Sequence, residues 1–164
     1  EVRHIIKESG ETGILVDDEH KLLHKIFEFS DKLAREVMVP RHQIVAINTD
    51  MTREDILRII TEEGHTRYPV YRHCLDTIMG IVHVKAIINM VANNPLFILE
   101  DLIMEPYFVA EDKKISTIFT EFQQQGLHIA IVRDAQGAVS GLIEIKDILR
   151  VIFGELKEKT VPEE

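Results

Sequence analysis

Apolar and polar positions along this chain alternate between two rhythms. Val139, Leu142, Ile143 and Ile145 form a dense, partly β-branched run, the mark of a buried strand. Directly after it, Ile148, Leu149, Ile152 and Phe153 recur at helical spacing. Between Gly141 and Gly154 the chain therefore passes from strand to helix, and Asp147 falls in the first helical turn. A carboxylate there complements the helix dipole, and it can also accept hydrogen bonds from a ligand's hydroxyls.

The same layout occurs earlier, in Gly80-Ile-Val-His-Val-Lys-Ala-Ile-Ile-Asn-Met-Val91. Gly80 matches Gly141, Lys85 matches Lys146, and Ile87-Ile88 match Ile148-Leu149. Upstream, Gly64 matches Gly126 and Val70 matches Val132. The offset stays near about sixty residues, which points to two copies of one supersecondary unit completing a shared core.

Read in order, Glu1 to Val16 is weakly periodic and broken by Gly10 and Gly13, a short frayed helix and then a loop. A helix starts at Asp17-Asp18-Glu19, carries an apolar stripe through Leu22, Leu23, Ile26, Phe27, Leu33 and Val37, and ends before Pro40. The stripe fits docking onto the repeats or contact with a second copy. In the first repeat, Ile44–Ile47 reads as a strand, then a helix capped by Thr52 with Asp55 and ended by Gly64. Its second strand is Tyr68–Tyr71, where Pro69 implies a strand start or an edge. A turn at Asp76-Thr77 then leads to strand Ile78–Val84 and helix Lys85–Ala92, stopped by Asn93-Asn94-Pro95. After a partly helical linker from Leu96 to Met104, the second repeat reads as strand Tyr107–Val109, helix Lys113–Gln125, strand Ile129–Val132, a turn Asp134–Gly137, strand Val139–Ile145 and helix Lys146–Leu156. The expected divisions are an N-terminal helical region 1–36, repeats at 37–95 and 96–157, and a frayed acidic tail at 158–164. The fold class is α+β. Helices cover one face of each small sheet, and the two sheets pack together.

With 164 residues, 45% of them hydrophobic, the chain suits one domain or two small intimate ones. A net charge of -9 argues against nonspecific binding to nucleic acid or anionic lipid. Cys74, the single cysteine, fits a reducing compartment. No apolar run approaches the ~20 residues of a membrane span. The eight histidines do not make a metal site by spacing. His65, His73, Cys74 and His83 lack paired ligands, and His20 with His24 lacks a third. No phosphate-cradling glycine loop or nucleophile elbow is present, and Cys74 has only the adjacent His73 as a base, so the expectation is no enzyme.

Taken together, Arg35-Glu-Val-Met-Val-Pro-Arg41, Gly64-His-Thr-Arg-Tyr-Pro-Val-Tyr71, Gly80-Ile-Val-His-Val-Lys85 and Asp147-Ile-Leu149 with Gly154-Glu155 resemble the CorC and hemolysin-like magnesium/cobalt transport family. The repeats themselves resemble a tandem CBS-domain pair, a Bateman module, with strand-helix-strand-strand-helix repeats about a pseudo-two-fold. The helix before Arg35 is similar to that family's linker from its membrane domain. The resemblance implies a regulatory module on the cytoplasmic face of an integral membrane transporter, attached to a transmembrane domain and forming a homodimer through the repeats. It also implies an adenine nucleotide (AMP, ADP or ATP) in the cleft between repeats, with magnesium only as its counter-ion.

The resemblance further implies that Asp147 holds the ribose hydroxyls, with His128, Ile129 and Leu142 lining the site. From the first repeat it implies Ile44, Val45, Thr66 and Arg67, and a phosphate contact from Arg41. The family's hydroxyl position is Glu144 here, which repels phosphate; in the first repeat the acidic position is Ala86 and the hydroxyl position is His83. These departures leave a second reading beside the first, a structural dimerisation module with vestigial sites.

Overall fold

The computed structural model describes residue 21 and residues 31–160. A short helix α1 (Ala34–Val37) leads through strand β1 (Val39–Pro40) and a 3-10 turn at Arg41–Gln43 into the first repeat. That repeat comprises β2 (Ile47–Asn48), α2 (Arg53–Glu63), β3 (Arg67–Arg72), β4 (Cys74–His83) and α3 (Val84–Asn93). After a 3-10 turn at Leu99–Leu102 come β5 (Phe108–Ala110), α4 (Ile115–Gln125), β6 (Ile129–Arg133), β7 (Val139–Glu144) and α5 (Ile145–Thr160). The α+β order of strand, helix, strand, strand, helix thus occurs twice.

Local chemistry explains the helix limits. Thr52 Oγ1 accepts the N–H of Asp55 and starts α2. Gly64 and Gly126 end α2 and α4 in the left-handed conformation. Asp134 Oδ1 accepts the N–H groups of Gln136 and Ala138, closing the turn into β7.

Topology ties the repeats together. The first sheet runs β2-β3-β4 and the second β1-β7-β6-β5. In each sheet the first two strands of the repeat are parallel, joined through the intervening helix, and the last two antiparallel. β1 precedes the first repeat yet pairs with the second, Val39 opposite Leu142 and Pro40 opposite Gly141. Reciprocally, Met104 precedes the second repeat and pairs with Ile81 of the first. Glycine makes both crossings close. A Cβ on Gly141 would stand 2.5 Å from the carbonyl oxygen of Val39, and one on Gly80 would collide with that of Met104.

Each sheet carries its helices over one face: Ile56, Tyr68 and Ile87 are buried in the first repeat, and Ile118, Phe122 and Ile148 in the second. A third apolar layer lies between the sheets, where Ile81, Ile129, Ile131, Val139 and Leu142 are buried with Ile44, Leu75, Ile78 and Phe108 against them. Burying each such aliphatic side chain stabilises the fold by roughly 1.5–3 kcal/mol.

The structure corrects several expectations. The helix expected from Asp17 to Pro40 does not run through its described part. Lys32–Arg35 pair their backbone with the start of the second repeat instead, Ile115 N–H to Lys32 O at 3.0 Å and Ala34 N–H to Lys113 O at 2.8 Å. Val37 packs on the core of the second repeat; Leu22, Leu23, Ile26 and Phe27 lie outside the described residues. The strand expected at Ile44–Ile47 is only Ile47–Asn48, because Ile44 closes the 3-10 turn on Arg41. The turn expected at Asp76-Thr77 sits at His73, whose φ of 65° reverses the chain, so Asp76 belongs to the long β4.

Pro69 is neither at a strand start nor on an edge: β3 is the central strand of its sheet. Ile81, opposite Pro69, directs both its N–H and C=O to Met104, which makes Pro69–Ile81 a non-hydrogen-bonded pair of the β3–β4 ladder. The absent N–H therefore faces the β2 side, and β2 begins only opposite Val70. No ladder bond is lost. The last helix continues past Leu156 to Thr160, and residues 161–164 lie outside the described residues.

Candidate ligand clefts between the repeats

Where β3 begins and β7 ends, the repeats face each other across a cleft of about 320 Å³. One wall is the bend Gly64–Arg67 after α2; the other is Glu144, Ile145 and Lys146, where β7 becomes α5. Leu149 and His128 complete it. Each element supplies its wall because the strand-to-helix junction and the helix-to-strand bend lie at the same end of their sheets.

Beneath the β7–α5 junction, Asp147 is buried, 6% exposed. Its Oδ2 accepts the backbone N–H of Glu144 at 2.8 Å. That is the reciprocal half of a capping box, the third helical residue reaching back to the N-cap. Oδ1 lies 3.6 Å from Arg150 Nη1, beyond hydrogen-bond distance. Burial raises the Asp147 carboxyl above the usual aspartate range; the Glu144 N–H opposes this and the Glu144 charge adds to it. Glu144 itself is largely buried and pairs with Lys146 Nζ at 3.0 Å. Lys146 thus offsets much of the repulsion Glu144 presents to an anion.

A second cleft of about 260 Å³ follows from the repeat symmetry. Gly126–Ile129, the counterpart of Gly64–Arg67, forms one wall, and His83, the counterpart of Glu144, stands on the other. Met104, Glu105 and Tyr107 of the linker close it. His83 caps α3, its Nδ1 accepting the N–H of Lys85 at 3.0 Å. Burial lowers its pKa first, with the charges of Arg67, Lys85 and His128 acting the same way. Arg67 and His128 line both clefts.

Of the residues singled out from sequence, Thr66, Arg67, His128 and Glu144 meet in the first cleft, with Asp147 behind its wall. Ile129 lines the second cleft. Leu142 and Ile44 are in the apolar layer between the sheets, and Val45 packs on the first repeat's core. Arg41 reaches neither cleft; its guanidinium pairs with Asp76 and donates to Val139 O at 2.9 Å. Lys146, His65 and Leu149 were not among the expected ligand contacts. Of the second cleft, the sequence marked His83 and Ala86 as the first repeat's hydroxyl and acidic positions; applying the repeat offset to Thr66-Arg67 gives its facing wall, His128-Ile129. Among the described residues no His, Cys, Asp and Glu cluster could hold a metal ion, and no helix is long and apolar enough to cross a membrane. His20 and His24 lie outside the described residues.

Comparison with known proteins places these features. The CBS domain profile matches residues 34–93 and 99–154. The UPF0053 protein YrkA of Bacillus subtilis is 35% identical over 97% of this chain and 38% of its own length. The magnesium and cobalt efflux protein CorC of Escherichia coli is 31% identical over 97% of this chain and 55% of its own. This chain thus spans only part of the curated relatives it matches. Among solved structures, the CBS domain of a bacterial CNNM/CorC family Mg2+ transporter in complex with ATP is 32% identical, with a TM-score of 0.74, covering 84% of this chain and 98% of that one.

Proposed function

The chain belongs to the CBS domain family, as a tandem pair of the CorC type, and from that premise we propose that it is the nucleotide-sensing regulatory module of a membrane ion-transport protein. An adenine nucleotide occupies the first cleft, with magnesium entering only as its counter-ion. The ribose hydroxyls meet Asp147 Oδ1, and Arg67 faces the phosphates. The observation that carries this is the joint construction of the cleft: Thr66-Arg67 and Glu144–Lys146 come from different repeats, so an occupant bears on both. The ATP complex of a similar CBS domain supports the ligand class. Occupancy changes the angle between repeats to the extent that the ligand binds the two arrangements unequally.

The role is regulatory rather than catalytic. The module faces the cytoplasm, joined to the transmembrane domain of its parent. It forms a homodimer through α3 and α5, whose Ile88 and Phe153 are exposed at 52% and 56%.

Nucleotide-dependent melting tests the reading. A ligand bound only by the folded state raises the melting temperature by mass action. ATP, ADP or AMP, with or without magnesium, raises it in the wild type. If no nucleotide moves it, the second reading takes over: a dimerisation module whose sites are vestigial. One observation favours that alternative, the commitment of Asp147 Oδ2 to the Glu144 N–H.

A further inference from the structure

The second cleft departs chemically from the first. Its counterpart of Asp147 is Ala86, so no carboxylate backs the helix junction. Its floor is apolar, formed by Ile81, Leu127 and Ile129 with Met104. Its polar groups are mostly donors. The helix-capping bond of His83 settles its tautomer: Nδ1 accepts from Lys85 N–H and must remain unprotonated, so the ring's proton sits on Nε2. Burial first, and then the charges of Arg67 and Lys85, lower the His83 pKa and favour the neutral imidazole, a hydrogen-bond donor without charge. Arg67 is half-buried and pairs with no carboxylate among the described residues, so its fork of N–H groups is open to an anion. His128 lines the same space. Glu105, on the linker, is exposed and adds a single negative charge at the rim.

From this arrangement we propose that the second cleft is a separate site for a small organic acid: a planar apolar body on Ile81, Leu127 and Ile129, its carboxylate between Arg67 and His83. The site needs neither ribose nor Asp147, so it stands independently of the nucleotide reading. Because Arg67 borders both clefts, its occupant also draws that guanidinium away from the first.

Titration with 2-naphthoate, followed by calorimetry, tests the proposal, with 2-naphthol as the uncharged body of similar shape. The wild type binds one naphthoate per chain, and naphthol at least about tenfold more weakly, the size expected for losing a charge-assisted hydrogen bond. Arg67→Met weakens naphthoate by a similar factor. His83→Asn keeps a capping oxygen for Lys85 N–H but removes the Nε2 donor. It weakens naphthoate several-fold with an unchanged melting temperature. Asp147→Ala leaves naphthoate binding as in the wild type, whatever it does to ATP. Equal binding of naphthol and naphthoate, wild-type affinity in both Arg67→Met and His83→Asn, or no saturable binding overturns the site.

Discussion

Asp76 on β4 of the first repeat accepts the backbone N–H of Val139 on β7 of the second, at 2.9 Å. Arg41 completes the link, pairing with Asp76 and donating to Val139 O. A carboxylate of the first repeat and a guanidinium from the turn leading into it thus satisfy both backbone groups of one residue in the second, and link the two sheets.

This link has a pH signature. The hydrogen bond from Arg41, and after it that from Val139 N–H, holds the Asp76 carboxyl below the usual aspartate value of 3.8. A depressed folded pKa contributes stability that is present above the unfolded value and is lost as pH falls through the folded one. The melting temperature of the wild type therefore falls below pH 3.8 partly through Asp76, and Asp76→Asn starts lower at neutral pH with a flatter acid limb. Parallel acid limbs in the two proteins, measured by calorimetric melting, would count against the link.

Asp147 behaves oppositely. Its carboxyl is raised by burial, so it contributes stability that is present below the usual aspartate value of 3.8 and is lost as pH rises through the folded pKa. Removing the cap with Asp147→Ala costs about 1 kcal/mol at neutral pH. Asp147→Asn keeps an oxygen for the Glu144 N–H without the buried charge, and denaturant unfolding places it at or above the wild type. An asparagine variant as unstable as the alanine would show that the charge, rather than the cap, is what α5 requires.

Gly80 and Gly141 mark the two strand crossings. In Gly80→Ala the new methyl meets the Met104 carbonyl, and the linker must shift. Overpacking of this kind costs about 1–3 kcal/mol. Since Met104 also closes the second cleft, naphthoate affinity falls together with the denaturation midpoint. Normal stability in this variant would mean that the linker gives way freely.

The exposed apolar side chains on α3 and α5 bear on assembly. Phe153→Asp shifts sedimentation from dimer to monomer if these helices meet a second copy, and burial of this ring restores about 1.5–3 kcal/mol per side chain at the interface. A wild type that sediments as a monomer at all concentrations rules the contact out.

What the sequence made legible was local or repeated. The Thr52 cap, the Gly64 and Gly126 stops and the Asp134–Gly137 turn each depend on a few neighbouring residues, and each is in place. The long-range relationships were hidden. Val39-Pro40 is too short to show a strand period, and its partner stands a hundred or so residues away on the other repeat. The turn at His73 carries a positive φ without the usual glycine or asparagine, which displaced the expected turn to Asp76. Pro69 read as an edge because its period gives no sign that β2 stops short of it. Thr66, Arg67 and Glu144, named through resemblance, do line the first cleft, whereas the engagement of Arg41 with Asp76 depends on how the sheets pack.

Calorimetric titration of ATP into the wild type and Asp147→Ala, with and without magnesium, tests the central claim most directly. The account predicts saturable binding of one nucleotide per chain, weakened about tenfold or more in the variant, as expected for losing hydrogen bonds to a charged group. A flat trace for the wild type, or equal affinity in the two proteins, contradicts it and leaves the first cleft without its nucleotide.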